Sequence, residues 1–378
     1  MISNSATPGS NEYRRSKVVG SRWGRGMVLW VVLGCICCGA LRAQGPPLPP
    51  PSQSQATNAP YLTPQRIVRV TESRTINLVC MGVGSPTVVL TAGLGGWSYV
   101  WYRIQPTISH ATRVCAWDPA GLGFSSPSPE PQDAVHEVQD LETALKTDRL
   151  SGPYVMVAHS AGAFVAILFA DKHPNDVVGM VLLDPAIPDE PAIRQRIAPK
   201  WAASGGGPGA AADHLQQCAS ELKSGLLKPK TDEYDQCTVS PLPPGFSALS
   251  GTIAHLNANS ARLLTQASAL IHVNADSPRE AINPHRSYGD MPMIVLTAGQ
   301  HPFPPDMPSD IRQEIKSYFQ ALAAAHRAYA ALSTHGKDEI VGDSAHFIQF
   351  DDPTAVIAAT ESLLVDIRNN APRRAAAH

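Results

Sequence analysis

Charge is scarce in this 378-residue chain: Asp, Glu, Lys and Arg make up 16% of it and aromatic residues 6%, while 43% is hydrophobic. So apolar a composition excludes a disordered chain and a coiled coil, and it leaves material for one large domain with insertions or two smaller ones. An excess of positive charge is missing from the body of the chain. Residues 1–43 hold six Lys/Arg and one acid, so the remainder carries 24 bases against 31 acids. Such a body lacks the positive field that a phosphate backbone requires, which sets nucleic acid aside as a partner. Internal repeats are absent, as are a His-Glu-x-x-His run and a Gly-x-x-x-x-Gly-Lys-Ser/Thr loop. Cys-x-x-Cys spacing occurs only at Cys35–Cys38, inside an apolar run. The motifs therefore ask for no metal and no organic cofactor.

No apolar run reaches the roughly 20 residues of a membrane-spanning helix. Met27–Leu41 is shorter, is interrupted by Gly34 and Gly39, follows five bases and precedes small residues at Ala40 and Ala43. That layout predicts an export signal over 1–43, cleaved or lipidated, the alternative being a retained anchor that tethers the protein to a membrane through residues 27–41. Residues 44–66 open with Gly45-Pro-Pro-Leu-Pro-Pro-Pro51 and form a Pro-rich linker, extended and unable to pack a core. The expected location is periplasmic, extracellular or membrane-tethered. Four cysteines remain in the body, Cys80, Cys115, Cys218 and Cys237, and an even number outside the reducing cytoplasm predicts two disulfides.

From Ile67 onward, short β-branched runs alternate with longer helical patterns, which predicts an α/β fold with a mostly parallel sheet and helices on its faces. Strands are expected at 67–71, 75–81, 87–92, 112–117, 153–158, 178–183, 292–298 and 337–342. Helices are expected at 133–149, 161–172, 309–332 and 352–369, from apolar spacings of three and four. Residues 67–186 and 291–370 then form two parts of one core, 371–378 a flexible tail, and 187–290 a helical cap without strands. Cys218 and Cys237 both fall in that cap, where a bridge closing a short loop contributes ~3 kcal/mol in the chain-entropy model.

Chemistry concentrates around Ser160. The strand Pro153–Ala158 runs through His159-Ser160-Ala161-Gly162 directly into a helical pattern. Small neighbours permit a sharp turn that lifts the hydroxyl off the sheet, and the helix N-terminus behind it favours developing negative charge. A serine needs a base. His346 follows the last expected strand, so its loop leaves the same sheet edge as Ser160. His159 adjoins the serine, with a side chain expected to point away, while His173, His301 and His335 lie in turns or a Pro-rich loop.

On these residues the stretch 67–370 resembles the α/β-hydrolase fold superfamily, esterase- and lipase-like serine hydrolases among them. Thr87–Gly96 is similar to the strand and loop that supply an oxyanion amide, with Ala92 where many members have His. Asp118-Pro-Ala-Gly-Leu-Gly-Phe-Ser125 resembles the family's Asp-x-x-Gly-x-Gly-x-Ser turn, and the serine turn, with Ala158 in place of the usual first Gly, and His346–Pro353 follow in family order. The resemblance implies an eight-stranded sheet, Ser160 as nucleophile, His346 as base, and the amides of Leu94 and Ala161 as the oxyanion hole. Trp97 and Phe164 are candidates for the pocket, with aromatic packing under the cap as the alternative for both. The acid departs from the pattern, since Gly299-Gln-His-Pro-Phe follows the strand where Asp is usual. Asp184, ending the preceding strand, is the preferred acid, and Asp306, farther along the later loop, the alternative. The family's strand order would set Cys80 beside Cys115. The implied activity is cleavage of a small-molecule carboxylic ester through an acyl-enzyme. Amide or peptide hydrolysis, cofactor-free peroxidation and a non-catalytic binding shell stay open as alternatives.

Overall fold

A computed structural model describes residues 58–204, 208–240, 242–243 and 245–375. The expected signal and most of the expected linker lie outside the described residues. Among those described, no helix is long and apolar enough to cross a membrane.

Eight strands form one sheet: β1 (Arg66–Arg69), β2 (Thr75–Met81), β3 (Thr87–Thr91), β4 (Val114–Trp117), β5 (Tyr154–His159), β6 (Val177–Leu183), β7 (Met293–Ala298) and β8 (Gly336–Val341). Their spatial order is β1-β2-β4-β3-β5-β6-β7-β8. β1 and β2 run antiparallel to their neighbours, and the remaining pairs are parallel. Every residue of β3, β5 and β7 is buried, as an apolar strand covered on both faces must be. Alternate residues divide between two cores. Val89, Met156, Met180 and Met293 pack under one helical layer with Leu141, Ile167 and Leu322. Leu90, Val157, Val181 and Ile294 pack with Trp101, Ile104 and Leu363 on the other side. Lys337, Asp338 and Glu339 on β8 keep the open edge charged, which discourages pairing with another chain.

The expected strand at 112–117 begins later, because Thr112 N–H bonds back to the Ile108 carbonyl and its hydroxyl to Pro86. The final helix is longer than expected. Asp352 accepts from Ala355 N–H at 3.0 Å, Pro353 occupies the first helical turn, and the helix runs to Ala375. It takes in residues 371–375, which composition assigned to a flexible tail.

Between β6 and β7 the described residues are helical, including Pro208–Lys223, Asp232–Thr238, Ser250–Asn257 and Ser260–His272. Asn259 separates the last two of these, its side chain accepting from the amides of Ala261 and Arg262 to start the helix Ser260–His272. Arg262, 4% exposed, docks this cap on the Asp118–Ser125 turn, donating to Gly123 O at 2.7 Å and Ser125 O at 2.9 Å. Gln266 adds a bond to Gly121 O, and Thr265 to Ser128 O. Both cysteine pairs are disulfides. Cys80 and Cys115 face each other directly across the β2–β4 ladder, and Cys218–Cys237 joins two cap helices with Cα atoms 5.5 Å apart.

Replacing Arg262 with Met should lower unfolding free energy by about 2–3 kcal/mol, because two buried carbonyls lose a charged donor; chemical denaturation would measure it. The Cys218→Ser, Cys237→Ser pair should cost a further ~3 kcal/mol. A loss below about 0.5 kcal/mol from either change contradicts the docking described here.

Candidate active site

Parallel strands bring their C-terminal ends to one edge, and Ser160, Asp184 and His346 all leave the sheet there. Ser160 follows β5 with φ +52°, the left-handed region that a non-glycine residue enters only when its surroundings impose it. The imposition is steric and hydrogen-bonded. Ser160 N–H donates to Leu183 O at 3.0 Å, while Ser160 O accepts from Ala163 and Ala186. The helix Gly162–Lys172 starts so close to β3 that a Cβ on Gly162 would lie 2.5 Å from the Ala92 carbonyl oxygen. Gly93 is similarly confined, since a Cβ there would meet Ser160 Cβ and His159 Nδ1 at 2.9 Å. Ala158, where the usual motif has Gly, is fully buried in β5 without displacing the turn.

His346 Nε2 lies 3.0 Å from Ser160 Oγ. Its Nδ1 is 2.6 Å from Asp184 Oδ2, and Asp184 Oδ1 accepts from Ala298 N–H at 3.1 Å. Asp184 is itself at φ +40°. Burial works against its carboxylate, yet the hydrogen bond and charge of His346 dominate and hold it at about 2. Burial likewise works against a His346 cation, but Asp184 outweighs it and moves that pKa upward. The arrangement can take a proton from Ser160 and stabilise the imidazolium that results. Asp306, the alternative acid, is exposed, and the Nδ1 it would have to meet is engaged by Asp184.

The amides of Leu94 and Ala161 have no acceptor among the described residues. A small cavity opens against them, lined by Gly93, Leu94, Ala161, Phe164 and Leu122 together with Val273 of the cap. Phe164 lines this cavity. Trp97 does not. It is 5% exposed and packs in a separate cluster with Tyr61, Phe246 and Ile253, its ring centroid 4.3 Å from that of Tyr99. Asp118 is buried and spends both carboxylate oxygens on Asn77, Ser98 N–H and Phe124 N–H; its turn lends Pro119 and Leu122 to the cavity wall.

Two histidines lie near the relay, His159, which the sequence reading set aside as pointing away from the serine, and His326, which it did not single out. The His159 side chain reaches the loop that carries His346. Its Nε2–H donates to the His346 carbonyl at 2.9 Å, its ring lies 4.7 Å from that of His346, and burial holds it neutral by lowering its pKa to about 3. His326 is fully buried, bonded to Pro185 O at 2.8 Å and Thr297 Oγ1 at 3.0 Å, with Asp184 Oδ1 at 3.9 Å. It carries a readable signal, a histidine at an apolar position in series with Tyr318, Leu322 and Tyr329. Among the described residues one cluster has metal-ligand types, His214, Cys218 and Cys237; its two sulfurs are joined to each other.

A sequence model of the alpha/beta hydrolase family matches residues 88–360. The chain belongs to that family. A protein of Bacillus subtilis named YqjL and described as uncharacterized is 38% identical over 108 residues, a match spanning 29% of this chain and 43% of YqjL. A probable hydrolytic enzyme from Pseudomonas aeruginosa superposes with TM-score 0.55 at 16% identity, covering 79% of this chain and 93% of the other. A putative epoxide hydrolase mutant from the same organism reaches 0.53 at 18% identity, over 80% and 96%. At those identities the family likeness is one of fold, and the chemistry has to be argued from the residues at this sheet edge.

Ser160 reactivity should therefore follow the protonation of His346. Labelling by a serine-directed fluorophosphonate should decline as pH falls, with a midpoint above the ordinary imidazole value of about 6.5. A rate independent of pH between about 5 and 8 would show that His346 does not activate the serine.

Proposed function

We propose that this protein is a serine hydrolase that cleaves a small-molecule carboxylic ester through an acyl-enzyme on Ser160. The observation that carries the reading is the unbroken relay from Ser160 Oγ through His346 to Asp184, at 3.0 and 2.6 Å, beside two unengaged amides. In this reading His346 takes the hydroxyl proton as Ser160 attacks the acyl carbon. The amides of Leu94 and Ala161 stabilise the oxyanion, each worth on the order of 10²- to 10³-fold in rate. His346 then protonates the departing alcohol, and a water it activates hydrolyses the acyl-enzyme.

The nucleophile's identity favours acyl transfer over the epoxide chemistry named for one structural neighbour. Attack of a serine oxygen on an epoxide carbon would leave an alkyl ether, which water does not cleave under these conditions, and the enzyme would be spent. A serine ester turns over. The two disulfides support work outside the reducing cytoplasm, with residues 1–43 as the export signal or membrane tether.

The test is hydrolysis of p-nitrophenyl esters of graded acyl length. Ser160→Ala and His346→Ala should each remove essentially all turnover, and Asp184→Asn should lower kcat by about 10⁴-fold. Asp306→Asn should stay within about twofold of wild type, since its side chain is exposed to solvent. Ester turnover that survives Ser160→Ala, or equal losses from the two Asp changes, would overturn this assignment.

A further inference from the structure

The cavity against Leu94 and Ala161 measures about 40 Å³, room for about three water-sized groups. Its wall is mostly apolar, with one ionisable side chain among the described lining residues, Glu137. The polar neighbours on that wall are already committed: Gln132 donates to Glu130 O and Pro131 O, and Ser277 Oγ accepts from Ala134 N–H. Glu137 has no hydrogen-bond or ion-pair partner among the described residues.

The acids around Glu137 are engaged. Asp140 is paired with Arg74 at 2.6 Å, Asp133 with His136 at 2.7 Å, and Glu280 accepts from Val135 N–H at 3.1 Å. Burial first, then the charges of Asp140, Asp133 and Glu280, push the Glu137 carboxyl up to about 8. Helix stability does not require this arrangement. Asp133 already caps the helix Ala134–Thr147 by accepting from His136 N–H, and an acid serving the helix end does so equally well from solvent. For a carboxyl that lines a mostly apolar cavity beside three other acids, ionisation carries a cost, and a cation in the cavity would offset it.

We propose that Glu137 is a specificity-determining residue that receives a primary ammonium group carried by the substrate on a short alkyl arm. The proposal rests on the acyl-transfer reading for its substrate and on the cavity for its charge. Three donors on an ammonium satisfy the carboxylate and leave the apolar walls to the methylenes. Selectivity for the cationic member of an isosteric pair follows, and it strengthens as pH rises and Glu137 ionises.

Two ester pairs test this: p-nitrophenyl 6-aminohexanoate against p-nitrophenyl heptanoate places the ammonium on the acyl side, and 4-(aminomethyl)phenyl butyrate against 4-ethylphenyl butyrate places it on the leaving group. In one pair the wild type should favour the cationic ester by at least about tenfold in kcat/KM, the worth of one charge-assisted hydrogen bond. Glu137→Gln should bring that ratio near one, and Glu137→Asp should retain part of it. A ratio near one in both pairs for the wild type, or an undiminished ratio in Glu137→Gln, overturns the proposal. Calorimetric titration with n-butylammonium chloride separates recognition from catalysis. If no ester is hydrolysed, the acyl-transfer reading fails by itself, and tighter n-butylammonium binding by wild type than by Glu137→Gln still supports the ammonium site. Equal or absent binding in both proteins overturns it.

Discussion

The close approach of the helix Gly162–Lys172 to the end of β3 is the constraint on which the site depends. With no side chain at Gly162, the helix N-terminus comes within reach of the Ala92 carbonyl, and the chain must reverse at Ser160 in a left-handed conformation. That reversal turns two things toward the same space: the hydroxyl, raised off the sheet, and the Ala161 amide, left without an acceptor. Gly93 lets the opposing loop close to the serine and sets the Leu94 amide alongside. A side chain at either glycine would collide with backbone or with the serine itself, and neither neighbour can yield without moving a strand.

Electrostatics then distribute the proton. Asp184 is buried, and a buried carboxylate is stable only when its oxygens are bonded; here one faces His346 and the other the Ala298 amide. The same bond fixes the His346 ring so that Nε2 faces Ser160. His159 secures the other end of that arrangement, because its ring nitrogen holds the His346 backbone carbonyl while burial keeps it neutral. A charged imidazole next to His346 would oppose the imidazolium that proton transfer requires. The residue preceding the serine therefore links the loop that carries Ser160 to the loop that carries His346.

How much of this the sequence reveals depends on whether the deciding contact is local. The central strands were readable because β3, β5 and β7 are buried on both faces and centre on short apolar runs. Ser160 was readable because strand, turn and helix are contiguous around it. The acid was ambiguous because the loop after β7 lacks a nearby Asp, and only the pairing of β6 with β7 brings Asp184, rather than Asp306, to His346. Trp97 lies two residues from the glycine loop, yet its ring turns into an aromatic cluster, a choice made by Tyr61 and Phe246 from distant parts of the chain. In sequence Glu137 looks like any acid in a first helical turn. Its place in a cavity depends on cap residues more than a hundred positions away.

The cap binds these parts together. Arg262 and Gln266 grip the Asp118–Ser125 turn, while Leu94 packs against Ala212, Ala267 and Leu270 of the cap. One surface of Leu94 is thus fixed by the insertion, and its amide faces the serine. Any shift of the cap helix Ser260–His272 must move either the cavity wall that Val273 supplies or the loop that carries this amide. The shape of the cavity and the position of the Leu94 amide are consequently coupled through a single residue. Under the proposed acyl-transfer reading, that coupling would let the insertion discriminate among substrates without altering Ser160, His346 or Asp184.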